Sequence, residues 1–121
     1  MPKESFLKNR LKSIGFALNG MLLLLKTEAS IKVQFFLALL MTAAGFYFDI
    51  SSVEWCLQLL AIGLVMGIEG VNTAIEALSD YVQPDFDPRI GKIKDISAGA
   101  VMVVSVMAVI IGMIIYLPKI F

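Results

Sequence analysis

Polar side chains recur at helical spacing inside a long apolar stretch of the chain, residues 55–80. Glu69, Asn72 and Glu76 stand at positions i, i+3 and i+7, and Asp80 follows at i+11. At about 100° per residue, these four positions lie within roughly an 80° arc of one helix face. A carboxylate at membrane depth costs several kcal/mol unless it faces protein, a metal ion or water. The stripe therefore predicts a functional site.

The composition is that of a membrane protein. Of the 121 residues, 59% are hydrophobic and 17% are charged. Stretches near the roughly 20 residues that cross a hydrocarbon core are expected at 29–48, 55–79 and 93–117. The amphipathic segment 5–27, with basic residues near its start, is typical of a helix lying on the membrane surface. We therefore predict a single all-α domain, 1–121, with one surface helix and three transmembrane helices.

Basic residues are distributed unequally between the two sides that three spans define. Nine of the ten lie on the side of the N-terminus or between the second and third spans: Lys3, Lys8, Arg10, Lys12, Lys26, Lys32, Arg89, Lys92 and Lys94. The positive-inside rule then predicts a multi-pass protein of the cytoplasmic (inner) membrane with its N-terminus in the cytoplasm. Pro84 and Pro88 are expected to interrupt the helices in a connector that ends at Gly91, and Pro118 together with the end of the chain is expected to close the third span.

This topology brings charged residues of three helices to one membrane–water interface. Asp80 lies at the cytoplasmic boundary, Glu76 about one turn inside it, and Glu69 roughly 10 Å deeper than Glu76. The starts of the first and third spans add residues at the level of Glu76, namely Glu28, Lys94 and Asp95. Independent surface charges have no reason to share one depth, so this set is expected to act together.

The residue types suit phosphoryl transfer at a membrane surface. Two carboxylates, Glu28 and Glu76, suit Mg²⁺, which prefers one or two carboxylates together with substrate phosphates and water. Lys94, near the start of a helix, suits phosphate oxygens. The deeper Glu69 suits a general base, with Asn72 bonded to it or to a substrate hydroxyl. The layout predicts transfer of a phosphoryl group from ATP to a lipid hydroxyl.

Other functions remain open on the residues alone. A small proton-coupled carrier would account for Glu69 but not for Lys94 and Asp95. A structural subunit would use Gly63 and Gly67 for close helix packing. Zinc chemistry is disfavoured, since the chain has no His and one Cys, and no glycine-rich phosphate loop is present.

Single members of the set also have ordinary interpretations. Glu28 or Asp80 alone is typical of a solvated helix end, and Lys94 alone is typical of a positive-inside anchor. Arg10 and Lys12 suit a phosphate contact or an attraction to anionic lipid equally well.

Two long motifs resemble the small prokaryotic diacylglycerol kinase family, which includes undecaprenol kinases. They are Glu69-x-x-Asn72-x-Ala74-Ile75-Glu76-x-x-x-Asp80 and, after the connector, Gly91-Lys92-x-Lys94-Asp95. Shorter segments also resemble the family, namely Glu28-Ala29 with Lys32 and Lys12-x-x-Gly15. Two residues depart from it, because Phe16 stands where Tyr is frequent and Asp87 where His is common.

The resemblance implies a homotrimer of three-span subunits with active sites shared between subunits, and ATP with Mg²⁺ as cofactors. It implies that Glu69 accepts the proton with support from Asn72, and that Glu28 and Glu76 bind metal. Nucleotide contacts are expected from Arg10, Lys12, Asp80, Lys94 and Asp95. The family name favours diacylglycerol as acceptor, giving phosphatidic acid, with undecaprenol as the alternative; no nucleic acid is expected as a partner.

Overall fold

The computed structural model describes residues 5–121; residues 1–4, and with them the basic Lys3, lie outside the described part. The described chain forms four helices, α1 (Phe6–Thr27), α2 (Ala29–Tyr47), α3 (Ser52–Val82) and α4 (Pro88–Ile120). The last three are long and apolar enough to cross a membrane, and residues 5–121 contain no strand. The prediction of an all-α fold with one N-terminal helix and three membrane spans is confirmed.

Side chains fix the start of α3 and hold it beside the end of α4. Ser51 Oγ accepts the backbone N–H of Glu54 at 3.2 Å, and Glu54 Oε1 accepts the backbone N–H of Ser51 at 2.9 Å. This reciprocal capping box satisfies two amides and begins the helix before residue 55. The Glu54 carboxylate also lies 3.2 Å from the Lys119 ammonium near the end of α4. The two longest helices are therefore joined at this end of the bundle.

The connector between α3 and α4 is shorter than expected and comprises only residues 83–87. Pro88 occupies the first turn of α4. Backbone N–H groups in the first turn have no acceptor within the helix, so a proline there costs no hydrogen bond and can begin the helix. Asp87 caps that turn, because its Oδ1 accepts the backbone N–H of Arg89 at 2.9 Å. Gly91, which was expected to end the connector, lies within α4.

At the end of the third span α4 continues through Pro118 and ends at Ile120. Proline within a helix removes its own N–H bond and crowds the preceding turn. Here it stands in the last turn, where few residues remain to be disturbed.

A buried polar contact ties α2, α3 and α4 together at the end of the bundle away from the connector. Gln58 Nε2 donates to the Met41 carbonyl at 2.9 Å, and the Tyr116 hydroxyl donates to Gln58 Oε1 at 2.5 Å. Beside it Trp55 lies flat against Gly45, where an added Cβ would come within 2.6 Å of Trp55 Cη2. Close helix approach and internal hydrogen bonding together set the arrangement of the three spans.

Candidate active site

The polar residues on one face of α3 are buried in the middle of the helix and exposed toward its C-terminal end. Glu69 and Asn72 keep 9% and 7% of their surface accessible, whereas Glu76 and Asp80 are exposed. Helix α3 packs mainly along α4 and less extensively against α2. The stripe expected from the spacing therefore runs from the interior of the bundle out to its connector end.

Glu69 lies on this inner face, and its carboxylate has no partner in the described residues. Within residues 5–121 it forms no hydrogen bond and no ion pair. Removing a carboxylate from water without a compensating donor is costly, so an acid in this position contributes nothing to the stability of the fold. Its free lone pairs are available to a donor that arrives from elsewhere.

Asn72 is bonded to Glu76, and the expected contact with Glu69 is not formed. Asn72 Nδ2 donates to Glu76 Oε1 at 3.2 Å, one helical turn toward the connector. The other amide atom, Asn72 Oδ1, is buried and has no hydrogen-bond partner in the described residues. Since Oδ1 and an ionised carboxylate are both acceptors, Asn72 and Glu69 cannot bond to each other through these atoms. Either one can accept the single proton of a hydroxyl that reaches it.

An apolar cavity of about 770 Å³ continues the Glu69 face toward the opposite end of the bundle. On α3 it is lined by Ile62 and Val65, which precede Glu69 at helical spacing and share its face. Gln34 of α2 also lines it, and Gln34 Oε1 is buried without a partner in the described residues. The sequence pattern showed Gln34 only as an interruption of the first span. Its depth in the predicted membrane span, similar to that of Glu69, was the signal from which it could have been predicted as a site residue.

Asp80 and Lys94 form an ion pair across the connector. The Lys94 ammonium contacts Asp80 Oδ1, with 35% of the lysine side chain and 64% of the aspartate side chain exposed. Beside the pair, Ser79 and Ser97 are buried and face the interior of the bundle. Asp95, the next residue, is exposed and has no polar contact in the part of the chain described here.

Glu28 stands at the junction of α1 and α2. Its backbone N–H closes α1 on the carbonyl of Leu24 at 3.1 Å, while its half-buried side chain makes no capping bond. Leu24 in turn lies against α3, because a Cβ on Gly70 would come within 3.0 Å of Leu24 Cδ1. The junction that carries Glu28 therefore approaches α3 beside Glu69.

Arg10 and Lys12 are exposed on α1. The Arg10 guanidinium lies 5.4 Å from the centre of the Phe6 ring on the same helix, a cation–π geometry. The structure does not bring Arg10 together with Glu69, Glu76 or Lys94.

The carboxylates of the site are too few to enclose a metal ion. Among residues 5–121 no group of three or more Asp, Glu, His or Cys side chains is arranged to hold one. A site with one or two carboxylates leaves most coordination positions to water and to phosphate oxygens. That donor set is the one Mg²⁺ accepts in phosphoryl-transfer enzymes, whereas calcium and zinc require more protein ligands.

Fold and site together define an integral membrane protein that carries buried and exposed acids and a lysine at one end of three spans. Residues 15–116 match the model of the prokaryotic diacylglycerol kinase family. The undecaprenol kinase of Bacillus subtilis (strain 168) is 35% identical over 108 residues, which cover 89% of this chain and 88% of that protein. The diacylglycerol kinase of Escherichia coli (strain K12) is 27% identical over 100 residues, which cover 83% of this chain and 82% of that one.

The diacylglycerol kinase of Haemophilus influenzae is 25% identical over 103 residues, which cover 85% of this chain and 87% of its own. The chain belongs to the prokaryotic diacylglycerol kinase family and is a lipid kinase. The resemblance described from the motifs is thereby confirmed, and so is the expectation of a kinase over a proton-coupled carrier.

Proposed function

We propose that this kinase transfers the γ-phosphoryl group of ATP to the hydroxyl of undecaprenol, with diacylglycerol as the second candidate acceptor. The higher identity to an undecaprenol kinase, 35% against 27% for a diacylglycerol kinase, favours the polyprenol. The family model and several relatives keep diacylglycerol as the alternative. In both cases an oxygen–phosphorus bond forms at the lipid, the β–γ bridge of ATP breaks, and one proton leaves the hydroxyl.

The observation that carries the proposal is the partnerless, buried Glu69. A lipid hydroxyl that reaches this carboxylate finds an acceptor for its one proton. The apolar cavity, lined on α3 as far as Met66, offers apolar surface within one helical turn of Glu69 for the chain of such an alcohol. Phosphoryl transfer needs little covalent assistance beyond positioning and proton removal, so a single base is sufficient.

Glu28 and Glu76 are the residues we assign to Mg²⁺. When bound, the ion neutralises charge on the phosphate oxygens of ATP. Glu76 is exposed, and Asn72 holds one of its oxygens by the 3.2 Å hydrogen bond. That bond orients the carboxylate and leaves its second oxygen open. Residues that support a metal ligand usually act in this way, by a hydrogen bond to the ligand.

Lys94 and Asp95 at the start of α4 are assigned to the nucleotide, with Arg10 and Lys12 as further phosphate contacts from α1. Asp87, which replaces the histidine common in the family, is engaged by Arg89 at 3.0 Å and caps α4. A nucleobase contact from that position would have to break this pair. We therefore assign no nucleobase contact to Asp87.

We also propose a homotrimer in the cytoplasmic membrane with the N-terminus and the connector in the cytoplasm. Gly63 and Gly67 support an assembly, because a Cβ at either position meets no atom within 4 Å in the protomer. Their small face on α3 is therefore open for a neighbouring helix. Arg10, which contacts Phe6 of its own helix and none of the site residues within one protomer, would reach a site across a subunit boundary.

Transfer of labelled phosphate tests the proposal. The purified protein in mixed micelles receives γ-labelled ATP and Mg²⁺ with either undecaprenol or diacylglycerol, and the lipid products are separated by chromatography. We expect labelled undecaprenyl phosphate to form faster than labelled phosphatidic acid. The reverse order would assign diacylglycerol as the acceptor, and no lipid product from either would refute the proposal.

A further inference from the structure

We propose that Asp80 is a positioning residue: its carboxylate holds the Lys94 ammonium where phosphate oxygens of the nucleotide arrive, without itself touching the nucleotide. The inference rests on the proposed function and deepens it. The family motif groups Asp80 with the nucleotide-binding residues, whereas the contact seen in the structure is with Lys94.

The ion pair joins α3 and α4 near the connector. Asp80 lies in the last turn of α3, which ends at Val82, and Lys94 lies in the second turn of α4. Ser79 and Ser97, buried at 7% and 8% exposure, keep small side chains between the helices here. The spacing between the two backbones is therefore set by packing, and the ion pair sets only where the lysine side chain points.

A lysine side chain benefits more than an arginine from being held in position. Its ammonium stands at the end of a flexible four-carbon stem, so a free lysine samples many positions. Contact with Asp80 uses one of its three N–H donors, which leaves two for phosphate oxygens. Holding the ammonium in advance removes part of the ordering cost that nucleotide binding would otherwise carry.

Neighbouring charges do not compete for this role. Arg89 and Asp87 are bonded to each other through two guanidinium nitrogens, at 3.3 and 3.0 Å. Asp85 in the connector and Asp95 on α4 are exposed and form no ion pair in the described residues. Asp80 is therefore the acid that determines the position of Lys94. Since both side chains of the pair are well exposed, it contributes little to the stability of the fold.

A double-mutant cycle on the full-length protein in micelles tests the inference. The variants are Asp80→Asn, Lys94→Gln and the two combined, with Asp85→Asn as the matched control. The KM for ATP, kcat for the lipid acceptor, the dissociation constant of Mg·ATP and the thermal unfolding midpoint are measured for each. We expect Asp80→Asn to raise the KM and the dissociation constant about tenfold, in the range of coupled charged neighbours. The kcat and the unfolding midpoint stay at their wild-type values.

In the Lys94→Gln background, Asp80→Asn should have no further effect, because there is no ammonium left to position. Multiplied losses in the double variant would show that Asp80 contacts the nucleotide directly and would overturn the inference, as would an unchanged KM in Asp80→Asn. Asp80→Glu, which keeps the charge, should recover part of the affinity. Absence of lipid phosphorylation by the wild type would count against the proposed function instead, and the Mg·ATP dissociation constants would still decide the question about Asp80.

Discussion

Asn72 donates a hydrogen bond from Nδ2 to Oε1 of Glu76, at 3.2 Å and one helical turn apart. The bond links a buried amide to an exposed carboxylate, so the interior of the bundle controls how the acid is presented at the surface. In this arrangement Asn72 serves two neighbours: its nitrogen orients the acid assigned to Mg²⁺, and its oxygen remains open beside Glu69.

Asn72→Leu keeps the volume of the side chain and removes this bond. We expect the Mg²⁺ concentration for half-maximal activity to rise at least about tenfold, the usual effect of losing a group that orients a metal ligand. The measurement is a magnesium titration at saturating ATP, and Asn19→Leu on the exposed face of α1 is the control. An unchanged magnesium requirement would separate Asn72 from the metal site.

Tyr116→Phe leaves Gln58 Oε1 buried without its 2.5 Å donor. The free energy of unfolding should fall by about 1–3 kcal/mol, the cost of an unsatisfied buried acceptor. Adding Gln58→Leu removes the stranded amide, so the double variant should recover most of the loss. Unfolding in detergent measures both, with Tyr47→Phe, 83% exposed, as control. A double variant less stable than Tyr116→Phe would argue against this explanation.

Gly45→Ala forces a methyl group to within 2.6 Å of Trp55. Overpacking of this kind costs about 1–3 kcal/mol, so the unfolding midpoint should fall. Gly20→Ala on α1 is the matched control, because its new methyl meets nothing within 4 Å in the protomer and alanine favours the helix. Equal destabilisation of the two variants would mean that the contact with Trp55 does not limit the size of the side chain at position 45.

Asp87 makes the start of α4 sensitive to acid. The hydrogen bond from the Arg89 side chain, followed by that from the Arg89 backbone, holds the pKa of this carboxyl below its ordinary value of 3.8. A depressed folded-state pKa stabilises the protein above the unfolded value and loses that contribution as the pH falls through the folded value. Asp87→Ala should therefore be less stable than wild type at neutral pH, with the difference disappearing below pH 3.8. Thermal unfolding against pH measures it, and a difference independent of pH would assign the effect to something other than the charge.

Helix number and the position of the polar stripe were predictable because each depends on a strong periodic signal. A bilayer requires spans of about 20 apolar residues, and α2, α3 and α4 meet that requirement. The 3.6-residue period placed Glu69 and Asn72 on one face, and both are buried there. The two prolines show the limit of such rules. Pro88 begins a helix and Pro118 lies inside one, because the effect of proline depends on its position within the turn.

Partners within the site were not predictable in the same way. Asn72 has Glu69 three residues before it and Glu76 four residues after it, and the spacing alone does not choose between them. The pair of Asp80 and Lys94 depends on how α3 and α4 are rotated about the connector, which small residues such as Ser79 and Ser97 decide through packing. The role of Gln34 could not be predicted from the sequence, because only the structure shows that it lines the cavity and that its Oε1 is buried without a partner in the described residues.

The central claim, that Glu69 accepts the proton of the lipid hydroxyl, is tested most directly by Glu69→Gln in the transfer assay with labelled ATP. We expect transfer to fall at least about a hundredfold, the low end of what a general base contributes, while the dissociation constant of Mg·ATP is unchanged. Glu54→Gln, at the opposite end of the same helix, should retain wild-type transfer. Wild-type transfer by Glu69→Gln would contradict the account.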